Sequence, residues 1–275
     1  MHNEPSREGI AMNSTLPAQG PVQPTTTGSL LFYPRALLAG LWFLTASLIG
    51  IFVVAVHPGD PSNSRRFARI FSWLSLRLVG LRVHVRHREF LSAVRPCVYV
   101  TNHQANEDLF IHCSFFPDRT VVTGKRELIR IPLFGVMFKV MGNILLDRDR
   151  RVTAVSQLSD AARRIREEKI SVWIFPEGHR NKKRELLPFK RGAFHLARLA
   201  GVPVVPVVTQ RYGHMLDIAS RRMKGGVVHV EILEPVPTTN LTEADIPALA
   251  ATVQKRIEEA LDRIDAEIQG ADRVE

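Results

Sequence analysis

A histidine and an aspartate five residues apart form the pattern in this sequence that is best suited to proton transfer. His103 follows the apolar run Cys97–Val100, and Asp108 closes the segment NHQANED. A carboxylate that accepts a hydrogen bond from one imidazole nitrogen fixes the ring tautomer, and the other nitrogen can then take a proton from a hydroxyl group. Residues five apart on one helix point about 140° away from each other. The pair therefore requires His103 in a turn and Asp108 in the first turns of the next helix, which Asn106 can cap.

Taken alone, this pattern has a plainer interpretation. A His-x4-Asp spacing occurs often by chance, and such a histidine is more commonly solvated or hydrogen-bonded within a core. Its place after a predicted strand favours a functional role, because open α/β sheets bind ligands beyond the carboxyl ends of their strands. Spacing and position together make His103 a candidate general base and Asp108 its partner.

The segment FPEGHR, residues 175–180, overlaps the end of a second apolar run, Ser171–Phe175. Gly178 permits a tight turn or a close approach of the backbone. Arg180 offers a planar fork for a phosphate group, and Glu177 can orient that arginine or a substrate hydroxyl. Standing alone, the segment would be interpreted as an ordinary turn at the end of a strand.

Two further cations lie near the ends of apolar runs. Lys125 comes after the run that ends at Val122, and Arg148 comes after Asn143–Leu146. Cations at the ends of several strands can converge on one anion although they are far apart in the sequence. Taken singly, each is more simply a charged residue in a solvated loop.

Composition limits the classes of protein that remain. The chain has 275 residues, 45% of them hydrophobic, which suffices for one catalytic domain with a substantial core. Its net charge of +10 suits an anionic partner, such as nucleic acid, an acidic lipid surface or a phosphorylated substrate. Cys97 and Cys113 lie in apolar surroundings and lack the spacing of a metal site, so they are predicted to be reduced, buried thiols.

The N-terminal part of the chain divides into two regions. Residues 1–28 are rich in Pro, Ser, Thr, Asn and Gln and predict a disordered tail. Residues 29–80 include the uncharged run Ala36–Val56, whose 21 residues would form a helix about 31 Å long, against about 30 Å for the hydrocarbon core of a bilayer. A full membrane span is preferred, ahead of a hairpin inserted into one leaflet and of a buried core helix.

Arginines follow this run closely. A positive flank usually stays in the cytoplasm, so the catalytic domain is expected on the cytoplasmic side. The arginines are Arg65, Arg66, Arg69, Arg77 and Arg82. Between them, apolar residues recur at helical spacing, which predicts an amphipathic helix that either lies in the membrane surface or packs on the domain core. These residues are Phe67, Ile70, Phe71, Leu74, Leu78 and Leu81.

Residues 81–275 alternate short strands with helices. This pattern predicts an α/β fold with a mixed, largely parallel sheet flanked by helices, preceded by the membrane-anchoring helical segment. The predicted strands are Val83–Arg86, Cys97–Val100, Arg119–Val122, Asn143–Leu146, Ser171–Phe175, Val204–Val208 and Val227–Ile232. The predicted helices are Val152–Glu168, Ala193–Leu199 and a C-terminal one with apolar positions from Ile246 to Ile268.

Six segments within residues 80–235 resemble, in order, the motifs of glycerolipid acyltransferases, specifically of the bacterial 1-acyl-sn-glycerol-3-phosphate acyltransferases of the HxxxxD type. They are NHQANED, KRELIRIPLFG, GNILLDR, FPEGHR, LLPFKRGAFHLA and GVPVVPV. One segment alone would be weak, but six in order are specific. The family usually has Thr or Ser where this chain has His179.

The resemblance implies that an acyl group passes from acyl-CoA or an acyl carrier protein to the sn-2 hydroxyl of lysophosphatidic acid, giving phosphatidic acid at the bacterial inner membrane. It implies no metal and no cofactor besides the acyl donor. The residues that it assigns are His103 and Asp108 as the catalytic pair, and Lys125, Arg148, Glu177, Gly178 and Arg180 as substrate-binding residues. His179 leaves other acceptors open: glycerol-3-phosphate, another lysophospholipid or a lyso-aminolipid.

Two other classes of protein fit parts of the sequence. A non-catalytic basic protein that binds anionic membranes or nucleic acid would explain the charge, but the segments around His103 and Glu177 are not simply basic. A serine hydrolase or a metallohydrolase would need a G-x-S-x-G or H-E-x-x-H element, and the sequence has neither. We therefore expect an anionic membrane surface, and no nucleic acid, among the partners.

Overall fold

The computed structural model describes residues 31–146 and 151–271, so the predicted tail at residues 1–28 lies outside the described residues. Two helices come first, α1 (Phe32–Val56) and α2 (Asn63–Val79). Arg35 donates a hydrogen bond to the carbonyl of Leu78, and Trp42 donates one to that of Phe71. The start of α1 therefore lies beside the end of α2, and a later residue of α1 contacts an earlier residue of α2. The two helices run antiparallel.

Nine strands follow in the described residues. They are β1 (Leu81–Arg86), β2 (Val98–Thr101), β3 (Thr120–Lys125), β4 (Ile144–Leu146), β5 (Ser171–Ile174), β6 (Val204–Thr209), β7 (Leu216–Asp217), β8 (Arg222–Met223) and β9 (Gly226–Ile232). Seven of them form one sheet in the order β1-β9-β6-β2-β5-β3-β4, and β7 pairs with β8. All neighbours in the large sheet are parallel except β6 and β9. The predicted mixed, largely parallel α/β fold is confirmed.

Helices cover both faces of this sheet. They are α3 (Phe90–Ala93), α4 (Asp108–His112), α5 (Phe134–Val140), α6 (Arg151–Glu168), α7 (Gly192–Ala200) and α8 (Ile246–Ala271), with 3-10 turns at Arg126–Arg130 and Glu243–Asp245. Every predicted strand and helix is present within a few residues of its predicted ends. The β7–β8 hairpin was not predicted, because strands of two residues have no alternation to detect.

The sheet separates two hydrophobic cores. Successive side chains of a strand point to opposite faces, so Tyr99 of β2 lies in one core, whereas Val98 and Val100 lie in the other. The Tyr99 core contains residues from α1, α2, α4 and α5. The second core contains residues from α6, α7 and α8. Four-residue β2 is buried throughout, as a central parallel strand requires.

The apolar stripe of α2 is used inside the protein. Phe67 and Phe71 are buried in the Tyr99 core, whereas Arg65, Arg69 and Arg77 are exposed. The stacked rings of Phe67 and Phe71 have centroids 5.6 Å apart. Of the two predicted placements of this helix, the structure has the one in which it packs on the domain core.

α1 differs from α2 in that much of its apolar surface is exposed. It is the one helix in the described residues that is long and apolar enough to cross a membrane, with a mean hydropathy of 2.4 over its most apolar 18-residue window. Only 22% of that window is buried within the protein. Its exposed side chains include Leu41, Leu44, Leu48 and Phe52.

Candidate active site

Three adjacent parallel strands bring the candidate residues together. β2 lies between β5 and β6, and all three end at the same edge of the sheet. The loop after β2 carries His103, the loop after β5 carries FPEGHR, and the loop after β6 carries Tyr212. This is the edge at which open α/β sheets bind ligands.

The His103–Asp108 pair forms as the spacing requires. His103 lies in the loop and Asp108 is the first residue of α4, with 2.6 Å between the histidine Nδ1 and the aspartate Oδ2. The His103 side chain is 22% exposed and that of Asp108 is 3% exposed. Asn106 does not cap α4: Glu107 precedes the helix, and the Asn106 side chain accepts a hydrogen bond from Arg180 instead.

Hydrogen bonds keep the buried Asp108 ionised. Burial acts to raise the pKa of Asp108, but the hydrogen bond from His103, the nearby imidazoles and the Tyr212 hydroxyl together hold this pKa below its usual value. The N–H groups of Gln104 and Ala105 also donate to Oδ2, at 2.8 and 3.3 Å. Because Asp108 is an acceptor, Nδ1 of His103 carries the hydrogen and Nε2 keeps its lone pair. The pair can therefore accept a proton at Nε2.

Tyr212 is the donor to the second oxygen of Asp108. Its hydroxyl lies against Oδ1, and its side chain is 1% exposed. Burial, together with the charge of Asp108, raises the pKa of Tyr212 well above its usual value, so the hydroxyl stays protonated. The sequence analysis missed this residue. The signal was its position three residues after a strand that ends at the edge of the site.

A second buried carboxylate holds the backbone of His103. Oε1 of Glu177 accepts the His103 N–H at 2.8 Å, and Oε2 accepts the Leu187 N–H at 3.0 Å and the side-chain amide of Asn181 at 3.2 Å. The Asn181 N–H donates to the carbonyl of His103 at 2.8 Å. Glu177, predicted to bind substrate, thus has protein donors at both oxygens, and its contacts position His103.

Gly178 adopts a backbone conformation that side chains disfavour, with φ of 75°. A Cβ atom added there would lie 2.7 Å from Nζ of Lys190. The positive φ is the reason for glycine at this turn, because the flexible Lys190 side chain could move away from an added Cβ. The turn allows Glu177 to point inward while Arg180 stays exposed.

Phe175 supports the imidazole from one side. Its ring stacks on His103 with centroids 4.0 Å apart, and its centroid lies 5.7 Å from that of His112. Burial lowers the pKa of His112 to about 4, so this histidine is neutral near pH 7. Its Nε2 lies 3.0 Å from Oγ1 of Thr209. The Phe175 ring therefore fixes the orientation of the His103 imidazole by stacking on it.

Two amides attach the loop after β2 to the end of β6. The side chain of Asn102 exchanges two hydrogen bonds with the backbone of Thr209, each 2.9 Å long. Gln104 donates to the carbonyls of Thr209 and Gln210, and its oxygen accepts the Tyr212 N–H at 3.3 Å. The loop that bears His103 is therefore held from both neighbouring strands.

A cavity of about 720 Å³ opens beside this loop. Its lining includes three basic residues, Arg180, Lys182 and Lys183, one acidic residue, Glu107, which accepts the Ile218 N–H, and the apolar residues Ala105, Phe110, Ile218 and Ala219. Arg180 donates to Oδ1 of Asn106 at 2.7 Å, whereas Lys182 pairs with Asp217 at 2.8 Å. A cavity lined by both basic and apolar residues can hold a molecule that has both an anionic and an apolar part.

The two other predicted cations are placed differently. Lys125 is the last residue of β3, two strands away from β2 at the same edge, and its ammonium lies 3.0 Å from the Glu127 carboxylate. Arg148 lies outside the described residues. Among the residues that are described, no group of three or more His, Cys, Asp or Glu side chains is placed to hold a metal ion.

Comparison with known proteins gives consistent matches. A family model described as Acyltransferase matches residues 82–210. A 1-acyl-sn-glycerol-3-phosphate acyltransferase of Haemophilus influenzae is 37% identical over 234 residues, which cover 85% of this chain and 96% of the relative. The protein of the same name from Escherichia coli is 30% identical, with coverage of 87% and 96%. The beta form from Homo sapiens is 36% identical, with coverage of 82% and 81%.

A solved structure shares the fold. The crystal structure of the 1-acyl-sn-glycerophosphate (LPA) acyltransferase PlsC from Thermotoga maritima matches with a TM-score of 0.68 and 22% identity. The match covers 87% of this chain and 95% of that one. The likeness supports the overall architecture described above.

Replacing Tyr212 by Phe should raise the pKa of Asp108. A hydrogen bond to a charged group contributes about 1.5–3 kcal/mol, so its loss corresponds to an increase of about one pKa unit or more. The carbon resonance of the Asp108 carboxyl, followed during a pH titration of protein in detergent micelles, measures this change. The lowered pKa of Asp108 stabilises the folded wild type, and this contribution is lost as the pH falls through that pKa. With a higher pKa for Asp108, the variant loses the contribution sooner, so its acid unfolding should begin at a higher pH.

Tyr99→Phe is the matched control for that substitution. Tyr99 is also buried, and its hydroxyl donates to the Leu91 carbonyl at 2.5 Å, not to Asp108. This variant should leave the Asp108 titration unchanged. Identical Asp108 titrations in the wild type and in Tyr212→Phe would show that the Tyr212 hydroxyl does not stabilise the carboxylate.

Proposed function

The chain belongs to the acyltransferase family, and we propose that it transfers a fatty acyl group to the sn-2 hydroxyl of lysophosphatidic acid, forming phosphatidic acid. The names of the relatives from Haemophilus influenzae, Escherichia coli and Homo sapiens support this acceptor. The observation that carries the proposal is the His103–Asp108 hydrogen bond, which leaves Nε2 of a partly exposed imidazole able to accept a proton. The donor is acyl-CoA or an acyl carrier protein.

The proposed reaction is a direct transfer between two bound substrates. Nε2 of His103 removes the proton of the acceptor hydroxyl while its oxygen attacks the thioester carbonyl. Asp108 stabilises the imidazolium that forms, and the ring of Phe175 holds its orientation. The tetrahedral intermediate then releases the thiolate, which takes the proton back from Nε2. No metal ion and no acyl-enzyme are required, because a thioester is already activated toward attack by an alcohol.

The carbonyl oxygen gains negative charge in this step and needs donors of its own. The N–H groups of His103, Gln104 and Ala105 already donate to carboxylates. These three groups hold the catalytic pair in place, so the donors to the oxyanion come from elsewhere in the site.

The cavity beside the loop after β2 is the proposed site of the acceptor. The Arg180 guanidinium can bind the phosphate through two parallel hydrogen bonds, while Phe110 and Ile218 offer apolar contacts for the glycerol and the start of the acyl chain. Lys125 is proposed to add positive charge at the same sheet edge, and Arg148 is proposed as a further residue that binds the phosphate. His179 is exposed next to Arg180, so its side chain is the one proposed to discriminate between acceptor headgroups. Other lysophospholipids, glycerol-3-phosphate and a lyso-aminolipid are therefore the alternative acceptors to assay.

We further propose that α1 lies in one leaflet of the membrane, with the catalytic domain on the cytoplasmic side, and does not cross the bilayer. Arg35 near its start donates to the Met223 carbonyl, and a Cβ on Gly50 near its end would contact Met137. These two positions are about 22 Å apart along the helix. Because the catalytic domain contacts α1 over that length, a perpendicular span would draw parts of the domain into the hydrocarbon.

His103→Ala should abolish most acyl transfer. Loss of a general base reduces turnover by about 10²–10⁴-fold. Turnover is measured with purified protein, lysophosphatidic acid and each acyl donor in turn, by quantifying the phosphatidic acid formed. His87→Ala is the control, because that imidazole is exposed and pairs with Glu89. Near-normal turnover by His103→Ala would remove this residue from the mechanism.

Arg180→Ala should chiefly raise the KM for lysophosphatidic acid, since a lost charge-assisted hydrogen bond weakens binding of the phosphate. The KM for the acyl donor should change little. Arg184→Ala, which removes a nearby exposed arginine, is the comparison. If kcat and both KM values of Arg180→Ala match those of the wild type, Arg180 does not bind the acceptor.

The orientation of α1 can be tested with single cysteines at its two ends. Native Cys97 and Cys113 are buried, so Leu31→Cys and His57→Cys should be the sites that react with a membrane-impermeant maleimide. Both should react in inside-out membrane vesicles, as should Leu199→Cys, the marker for the catalytic domain. Reaction of Leu31→Cys from the opposite side to His57→Cys would establish a full span and reject the one-leaflet arrangement.

A further inference from the structure

A second group of exposed apolar side chains lies outside the N-terminal helices. The segment from Arg126 to Val140, here the Arg126–Val140 segment, comprises a 3-10 turn, a short link and α5. Its large apolar side chains that are between 37% and 51% exposed are Ile129, Ile131, Leu133, Val136 and Val140. Among the described residues beyond α2, the only other large apolar side chain of comparable exposure is Leu199. Apolar side chains concentrated in this way mark a binding surface.

The Arg126–Val140 segment is rigidly built. The Gly135 N–H donates to the Ile131 carbonyl at 2.8 Å, and a Cβ on Gly135 would lie 2.3 Å from the Ile129 carbonyl oxygen. Phe134, Met137 and Phe138, which alternate with the exposed residues, are buried in the Tyr99 core. The exposed side chains are therefore held outward by the same packing that anchors their neighbours.

This segment adjoins the exposed face of α1. Phe43 of α1 stacks on Phe134 with centroids 5.1 Å apart, and Gly50 lies against Met137. Leu41, Leu44, Leu48 and Phe52 of α1 are exposed. The two sets of exposed side chains thus belong to elements that pack directly against each other.

The positive charge of this surface indicates which kind of partner binds it. Arg126, Arg130 and Lys139 are exposed among the apolar residues, and Glu127 is the one acidic residue between positions 126 and 140. A second copy of the same cationic surface would be repelled, whereas anionic lipid headgroups attract it. Apolar and basic side chains interleaved on one face are typical of a segment that lies in a membrane interface.

We propose that the Arg126–Val140 segment is a second membrane-contact surface, which inserts its apolar side chains into the same anionic leaflet as α1. Lys125 immediately precedes the segment and ends β3 at the edge of the active site. The segment therefore places the site beside the leaflet, where a lysophospholipid can enter without leaving the membrane surface. This last consequence rests on the proposed function, whereas the membrane contact itself does not.

An environment-sensitive fluorophore on Val136→Cys of the full-length protein tests the contact. Vesicles of equal parts phosphatidylcholine and phosphatidylglycerol should shift its emission to the blue, and lipids brominated in their acyl chains should quench it. Leu199→Cys, on α7 at the other face of the sheet, should show neither effect. A Val136 label that stays water-exposed on vesicle-bound protein overturns the proposal, whether or not the protein transfers acyl groups.

Charge insertion supplies a second, functional test. Val136→Asp should lower acyl transfer to lysophosphatidic acid presented in those vesicles several-fold, but not transfer to a short-chain acceptor dissolved in water. Leu199→Asp should affect neither. A loss of equal size with both acceptors would mean that Val136 acts on the fold or the site, and would overturn the membrane role. Absence of transfer to either acceptor by the wild type would refute the proposed function and leave the fluorescence result standing.

Discussion

The buried carboxylate of Asp108 is the group on which the arrangement of the site depends. An ionised carboxylate inside a protein is unstable unless hydrogen bonds replace its hydration. Its donors are the ring of His103, the N–H groups of Gln104 and Ala105, and the hydroxyl of Tyr212. Three of these come from the loop after β2 and one from the loop after β6. The two strands must therefore be neighbours that end at one edge, and the order of the sheet meets that requirement.

Glu177 extends the same principle to the other side of the loop. It is buried, and its oxygens accept hydrogen bonds from the backbone of His103 and Leu187 and from the Asn181 side chain. The motifs NHQANED and FPEGHR are thus parts of one hydrogen-bonded unit. Two carboxylates from different segments hold His103: Asp108 accepts a hydrogen bond from its ring, and Glu177 accepts one from its backbone N–H. The position of Nε2 of His103, the proposed proton acceptor, follows from these contacts and from the face of Phe175.

Helices α1 and α2 share a hydrophobic core with α4, the helix that begins at Asp108. Phe71 of α2 packs against Phe110 of α4, with ring centroids 5.5 Å apart, and Asp108 begins α4. Phe43 of α1 contacts both Phe71 and Phe134. A displacement of α1 and α2 relative to the sheet would therefore disturb the helix that carries Asp108. The position of the N-terminal helices and the geometry of the site are properties of one packed structure.

The sequence alone determined the α/β pattern, the seven strands of the large sheet and the His103–Asp108 pair, because periodicity and short spacings are recorded in the order of the residues. It did not show that Glu177 would hold a backbone 74 residues away, or that Tyr212 would donate to a carboxylate 104 residues away. For α1 the sequence favoured a full membrane span, and the contacts of α1 with the catalytic domain are the basis of the one-leaflet proposal. The contacts of Glu177 and Tyr212 depend on which strands are neighbours and on which loops meet at one edge of the sheet. Only the tertiary structure decides this, because such contacts join residues that have no local relationship in the chain.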